Sequence, residues 1–159
     1  MLNIHLYRSN FLNESRINRE INVIEEMNIF RKIHLVGINQ AGLLSEEKVS
    51  DKVYIYRFLG RSKKGSQINT LFNIFLWHII VFKKYFKEDI HCINCHSVNV
   101  LPLAVLLKIF KGAKLIYDTH ELETETAALS GFSKVLAKIT EKLLISFSDY
   151  CIFVSDSIE

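Results

Sequence analysis

The chain has 159 residues, enough for one domain with a core of its own and too few for two domains of ordinary size. Hydrophobic residues make up 49%, there is a single proline and no low-complexity stretch, which excludes a disordered chain. A net charge of +3 is too small to indicate nucleic acid, and we expect no nucleic-acid partner. Three cysteines with no secretory signal fit a reducing compartment without a disulfide framework, so the expected location is cytoplasmic.

Leu2 to Tyr7 alternates with period two and reads as the first strand. After a loop over Ser9 to Asn13, Ile17, Ile21, Ile24 and Met27 recur at helical spacing, with Asn13 or Ser15 as candidate N-cap. Ile33 to Ile38 and Val53 to Phe58 read as the second and third strands, with a polar surface stretch from Glu46 to Asp51 between them. The basic loop Arg61 to Gly65 leads into a long helix carrying Ile68, Leu71, Phe72, Phe75, Leu76, Ile79 and Phe82. A fourth strand spans Ile90 to Cys95, and an almost wholly apolar helix follows from Leu101 to Phe110, with Pro102 in its first turn and Gly112 as its stop. Leu115 to Tyr117 form a fifth strand. Phe132 to Phe147 are patterned as an amphipathic helix, and Tyr150 to Val154 form a sixth strand.

Strands alternating with helices imply right-handed crossovers and a parallel sheet. The expected fold is therefore α/β: a doubly wound, mostly parallel Rossmann-like sheet with helices on both faces. The expected strand order is 3-2-1-4-5-6, in one domain over 1–159. A sixth strand followed at once by the last residues suggests the first half of a two-domain protein.

In such sheets ligands sit beyond the carboxyl ends of the strands. The fifth strand ends in Asp118-Thr119-His120-Glu121, which puts an imidazole and two carboxylates there. The plainer alternative is that Asp118 and Glu121 cap the next segment and His120 is an ordinary hydrogen-bonding residue. His96 falls at the end of the fourth strand, beside the fifth if the order holds; it is equally a candidate loop histidine. Arg16 lies in the first turn of a helix, where cations are disfavoured, so it either points to solvent or reaches an anion in the crevice.

Other motifs carry less. The first loop lacks G-x-G-x-x-G, which argues against an NAD oxidoreductase. Cys92-Ile93-Asn94-Cys95-His96 matches the C-x-x-C-H pattern of haem attachment, but strand positions three apart face opposite ways. Cys92 and Cys95 are better read as small buried residues. The long helix with Trp77, followed by Lys83, Lys84 and Lys87, is better read as a buried helix with a solvated basic end than as a membrane-surface anchor.

Taken in order, Asn13-Glu14-Ser15-Arg16-Ile17, then Ile93 to Ala104 with His96 and Leu101-Pro102-Leu103-Ala104, then Gly112 to Leu122, then Glu141-Lys142 and Asp149 to Ser155 form a consistent series. This series resembles the N-terminal domain of GT-B-fold glycosyltransferases of family 4. The resemblance implies transfer of a sugar, with retention, from a nucleotide-sugar donor to a glycan or lipid-linked acceptor. The donor is a substrate; no cofactor and no metal are expected. It also implies that this domain binds the acceptor and that a donor-binding domain or chain completes the enzyme, so that the chain alone is inactive. By the same resemblance His120 is the catalytic residue beside the transferred sugar, acting through electrostatic stabilisation. Arg16, His96, Ser97, Asp118 and Glu121 would bind substrate. The family's glycine-rich first loop is absent, which weakens any donor-phosphate contact from Ser9 to Asn13.

Expected partners are thus the acceptor, a donor-binding domain or chain, a second copy through the face that a second domain would cover, and the inner membrane surface at the periphery. Two other classes stay open: a non-catalytic binding or scaffold domain that keeps the fold, and a flavodoxin-like nucleotide-binding module.

Overall fold

The computed structural model describes residues 1–60, 67–119 and 131–153. Among the described residues seven strands form one sheet: β1 (Leu2–Leu6), β2 (Lys32–Asn39), β3 (Glu46–Lys48), β4 (Val53–Gly60), β5 (Ile90–Cys95), β6 (Lys114–Thr119) and β7 (Tyr150–Phe153). Their order is β3-β4-β2-β1-β5-β6-β7, parallel throughout except for β3, which runs antiparallel to β4. The six strands read from the sequence are present in the expected order. The seventh, β3, lies within the stretch expected to be only polar surface. Its three residues, Glu46, Glu47 and Lys48, have no apolar signature, because an edge strand needs backbone pairing and gains from charged side chains that deter further pairing.

The helices are α1 (Ser15–Glu26), α2 (Gln67–Tyr85), α3 (Leu101–Lys111) and α4 (Gly131–Leu144), with a 3₁₀ turn at Ile145–Phe147. They divide between the two sheet faces. α1 buries Ile17 and Ile21 with Phe11 against Ile33, Leu35, Val53 and Ile55. The opposite face packs Trp77, Val81 and Tyr85 of α2 and Leu101, Leu103, Ala104, Val105 and Leu107 of α3 against Ile4, Leu6, Ile93 and Leu115. Each central strand is therefore buried on both sides. Neither expected N-cap of α1 is used: Glu14 occupies that position and makes no side-chain cap. α3 ends as expected, with Gly112 in the left-handed conformation (φ 65°) and its N–H on the Lys108 carbonyl.

Two contacts fix the loop after β1. A β-carbon on Gly37 would stand 2.2 Å from the Ser9 carbonyl oxygen, so the loop packs directly on the backbone of β2. Arg57, buried within β4, donates from Nε to the Asn10 carbonyl (2.9 Å) and from Nη1 to the Leu44 carbonyl (3.0 Å) and Glu47 (2.7 Å). One guanidinium thus holds both the first loop and the edge hairpin.

Candidate functional site

The strand order reverses between β1 and β5, and the backbone N–H of His96 bonds the Leu6 carbonyl at 3.1 Å across that junction. This is the switch point at which a doubly wound sheet opens a crevice. Cys95 and Tyr117 form the last pair between β5 and β6. One residue beyond them lie His96 and Asp118, both buried.

A continuous polar chain runs through this junction. Arg16, in the first turn of α1, donates from Nη2 to Asp118 Oδ1 at 2.5 Å; its side chain remains 38% exposed. Asp118 Oδ2 lies 3.2 Å from His96 Nδ1, and His96 Nε2 lies 2.9 Å from His5 Nδ1. His5 Nε2 meets Asn3 Oδ1 at 2.7 Å. The Asn3 amide donates to the Cys92 carbonyl (3.2 Å) and to Asn94 Oδ1 (2.8 Å), and Asn94 Nδ2 donates to Glu20 of α1 (2.7 Å). The anion met by Arg16 is thus Asp118 of the same chain.

Hydrogen-bond accounting assigns the protons. The Cys92 carbonyl can only accept, which fixes the Asn3 amide nitrogen and leaves Asn3 Oδ1 to accept from His5 Nε2–H. Burial, and the charge of His96 beside it, hold the His5 imidazole well below its ordinary value, so its Nδ1 carries a lone pair. His96 must then donate from Nε2. A second proton is required on the line between His96 Nδ1 and Asp118 Oδ2, because two lone pairs would otherwise face each other. The Glu20 carboxyl is raised, first by burial and partly offset by His96.

His5, Glu20 and His96 also offer ligand atoms within 4.8 Å of one another, the one such cluster among the described residues. The two rings lie within 14° of coplanarity with centroids 5.2 Å apart, close to the N···N distance plus both ring radii, so the nitrogens meet end to end. A zinc ion needs about 2.0–2.1 Å from each nitrogen, which a 2.9 Å gap between opposed nitrogens does not provide. The pair is spaced for a proton. Cys92 and Cys95 are both buried, Cys92 toward Asn94 and Cys95 in the core on the other face. Burial pushes the Cys92 thiol up to about 11, so it is no ready metal ligand.

Of the residues singled out in the sequence, the structure brings Arg16, His96 and Asp118 together. Ser97 is buried beside them, with its Oγ accepting the Asn99 N–H at 3.2 Å in the turn that opens α3. His120 and Glu121 lie outside the described residues. Sequence reasoning missed Asn3, His5, Glu20 and Asn94. For Asn3, His5 and Asn94 the available signal was polar side chains on what proved to be central, doubly buried strands; Glu20 lies on α1 and had no such signal. A cavity of about 620 Å³ opens beside this network, lined by Arg16, Arg19, Glu20, Cys92, Asn94 and Ile116 among others.

No protein-family model matches the sequence, and neither does any curated protein. Among solved structures, the chain is similar to sucrose-phosphate synthase from Thermosynechococcus elongatus, with a TM-score of 0.73 at 9% identity, over 97% of this chain and 42% of that one. A second, shorter structure of that enzyme matches with a TM-score of 0.62 at 10% identity, over 99% of this chain and 77% of the other. The likeness is one of fold: the chain shares the Rossmann-like α/β fold of part of that glycosyltransferase and spans less than half of the first structure's length.

Proposed function

We propose that this chain is the acceptor-binding half of a retaining glycosyltransferase that uses a nucleotide-sugar donor, and that it needs a donor-binding half to turn over. The observation that carries the reading is the Arg16–Asp118–His96 array at the strand-order reversal of a glycosyltransferase-like half. Within it the three residues divide the work. Asp118 and His96 are buried and satisfied by protein partners, so they act as positioning residues. Arg16 is the member with exposed surface and presents a fixed cation to the crevice, suited to hydroxyls or an anionic group of a ligand. His120 and Glu121, which follow β6 directly in the sequence, would approach the transferred sugar from the same strand end. No metal and no cofactor is invoked; positioning and electrostatic stabilisation supply the catalysis in this reading.

The test is reconstitution. The chain alone should turn over no nucleotide sugar, and joining it to a glycosyltransferase donor half, fused or added in trans, should restore sugar transfer to a glycan or lipid-linked acceptor. In the restored enzyme His120→Ala should lower kcat by roughly 10²-fold or more, as loss of one preorganised group does. Arg16→Gln should raise KM for the acceptor. Turnover by the chain alone, or a restored enzyme indifferent to both substitutions, would overturn the reading.

A further inference from the structure

The surface formed by α2 and α3 has an unusual make-up for a helical layer facing water. Phe72, Phe75, Phe82 and Phe86 recur along one side of the α2 segment and its extension, at spacings that keep them in a single stripe. Phe72 and Phe75 are each 62% exposed. On α3, Ile109 and Phe110 are exposed to nearly the same degree. Between the two helices runs an apolar groove of about 560 Å³, walled by Ile74, Phe75, Ile79, Phe82, Leu103 and Leu106. Phe82, Phe86 and Phe110 close one end, with ring centres 5.5–6.3 Å apart.

The two helices themselves carry charge of one sign, with Lys108 ion-paired to Asp149 at 2.5 Å and Glu88 and Asp89 following α2. α2 and α3 together contain Lys83, Lys84, Lys108 and Lys111 and no aspartate or glutamate. Lys83 lines the groove itself, and Lys87 follows α2 on the exposed side. Lys111 reaches the Phe86 carbonyl and stands 5.4 Å over the Phe86 ring, so cation and aromatic face share one edge of the patch. Neither helix suits a crossing: among the described residues no helix is long and apolar enough to span a membrane. Exposed phenylalanines rimmed by lysines, on helices that do not span, are the chemistry of a surface lying in an anionic lipid interface.

We propose that the α2–α3 face rests on an anionic lipid bilayer, with an acyl chain taken into the groove between the two helices. Lys83 and Lys87 meet lipid phosphates, and Phe72, Phe75, Ile109 and Phe110 enter the headgroup region. The inference is independent of glycosyl transfer: a chain with no transferase role would bind in the same way.

The experiment is co-sedimentation of the full chain with vesicles of phosphatidylcholine alone and of phosphatidylcholine mixed with phosphatidylglycerol. Binding should favour the anionic vesicles and weaken as salt is raised. Phe75→Asp combined with Ile109→Asp should reduce binding to the anionic vesicles by roughly tenfold or more, since each removes an inserting apolar side chain. Lys83→Gln with Lys87→Gln should remove the preference for anionic over neutral vesicles. All four side chains are exposed, so circular dichroism and melting should be unchanged, and a folded variant keeps the test valid. Absence of sedimentation with either vesicle would overturn the proposal. So would binding that ignores the aspartate pair, or a self-associated chain that the same pair converts to monomer with no vesicle binding in either form.

Discussion

Replacing Asp118 separates the roles of charge and of hydrogen-bond pattern in the buried chain. In Asp118→Asn the side-chain oxygen can still accept from Arg16, while the new amide donates to His96 Nδ1, where the native protein requires a proton. His96 can then be neutral and still donate from Nε2 to His5, and every bond described above has a partner. The substitution should cost about 1 kcal/mol or less, since removing a buried ion pair whose hydrogen bonds are replaced is often near neutral. Asp118→Leu offers neither donor nor acceptor. It strands His96 Nδ1 in a buried site and leaves Arg16, part of whose cost is recovered from solvent because it is 38% exposed. Breaking a buried pair costs roughly 3–5 kcal/mol, with the lower end expected here for that reason. In a chain of this size each kcal/mol moves Tm by roughly 2–4 °C, so the leucine variant should melt at least about 6 °C lower and the asparagine variant within a few degrees of the parent. Urea unfolding followed by circular dichroism measures both. If asparagine proves as damaging as leucine, the charge itself is required and the proton assignment is wrong.

Three further outcomes follow from the packing. His34 is buried against the Tyr85 hydroxyl, and burial, with Lys32 and Lys84 nearby, lowers it from 6.5 to about 4. The unfolded chain therefore takes up the proton first, and stability complete above pH 6.5 is lost as pH falls toward 4, by roughly 2 kcal/mol at pH 5; His5 adds to the slope in the same sense. His34→Gln should flatten this acid limb in melts between pH 7 and 5, and an unchanged limb would refute the assignment. Gly37→Ala forces a β-carbon to 2.2 Å from the Ser9 carbonyl oxygen and should cost roughly 1–3 kcal/mol in urea unfolding, a loss that a neutral result would contradict. Trp77→Phe removes the indole N–H from the Gly37 carbonyl at 3.0 Å and should lower stability by roughly 1–3 kcal/mol, again read by urea unfolding, with an unchanged midpoint as the contrary result.

The strand order was legible because it follows from alternation of strands and helices and the handedness of crossovers, both of which sequence periodicity reports. Arg16, His96 and Asp118 were legible for a different reason: they stand at element ends, His96 and Asp118 where a polar residue closes an apolar strand and Arg16 as a cation in the first turn of a helix. His5 and Asn3 were hidden by the same rule. Alternation of Leu2, Ile4 and Leu6 with Asn3 and His5 ordinarily means one wet face, whereas here both faces are buried and the polar one is satisfied by Asn94 and His96. That arrangement depends on β5 lying beside β1, 91 residues away in the Asn3–Asn94 contact, and no local pattern encodes it. The edge strand β3 was missed because its pairing lies in the backbone and its side chains are those of a loop.

Arg57 has a mechanical consequence. Because the same buried guanidinium serves the Asn10 carbonyl and the edge hairpin at Leu44 and Glu47, the loop after β1 cannot swing outward without leaving the Nε–H of a buried cation without its acceptor. On that side the crevice has a stiff wall whose position is a constant of the fold. A ligand entering beside it would meet a boundary of fixed position, and any adjustment to its shape would fall to the opposite side of the opening.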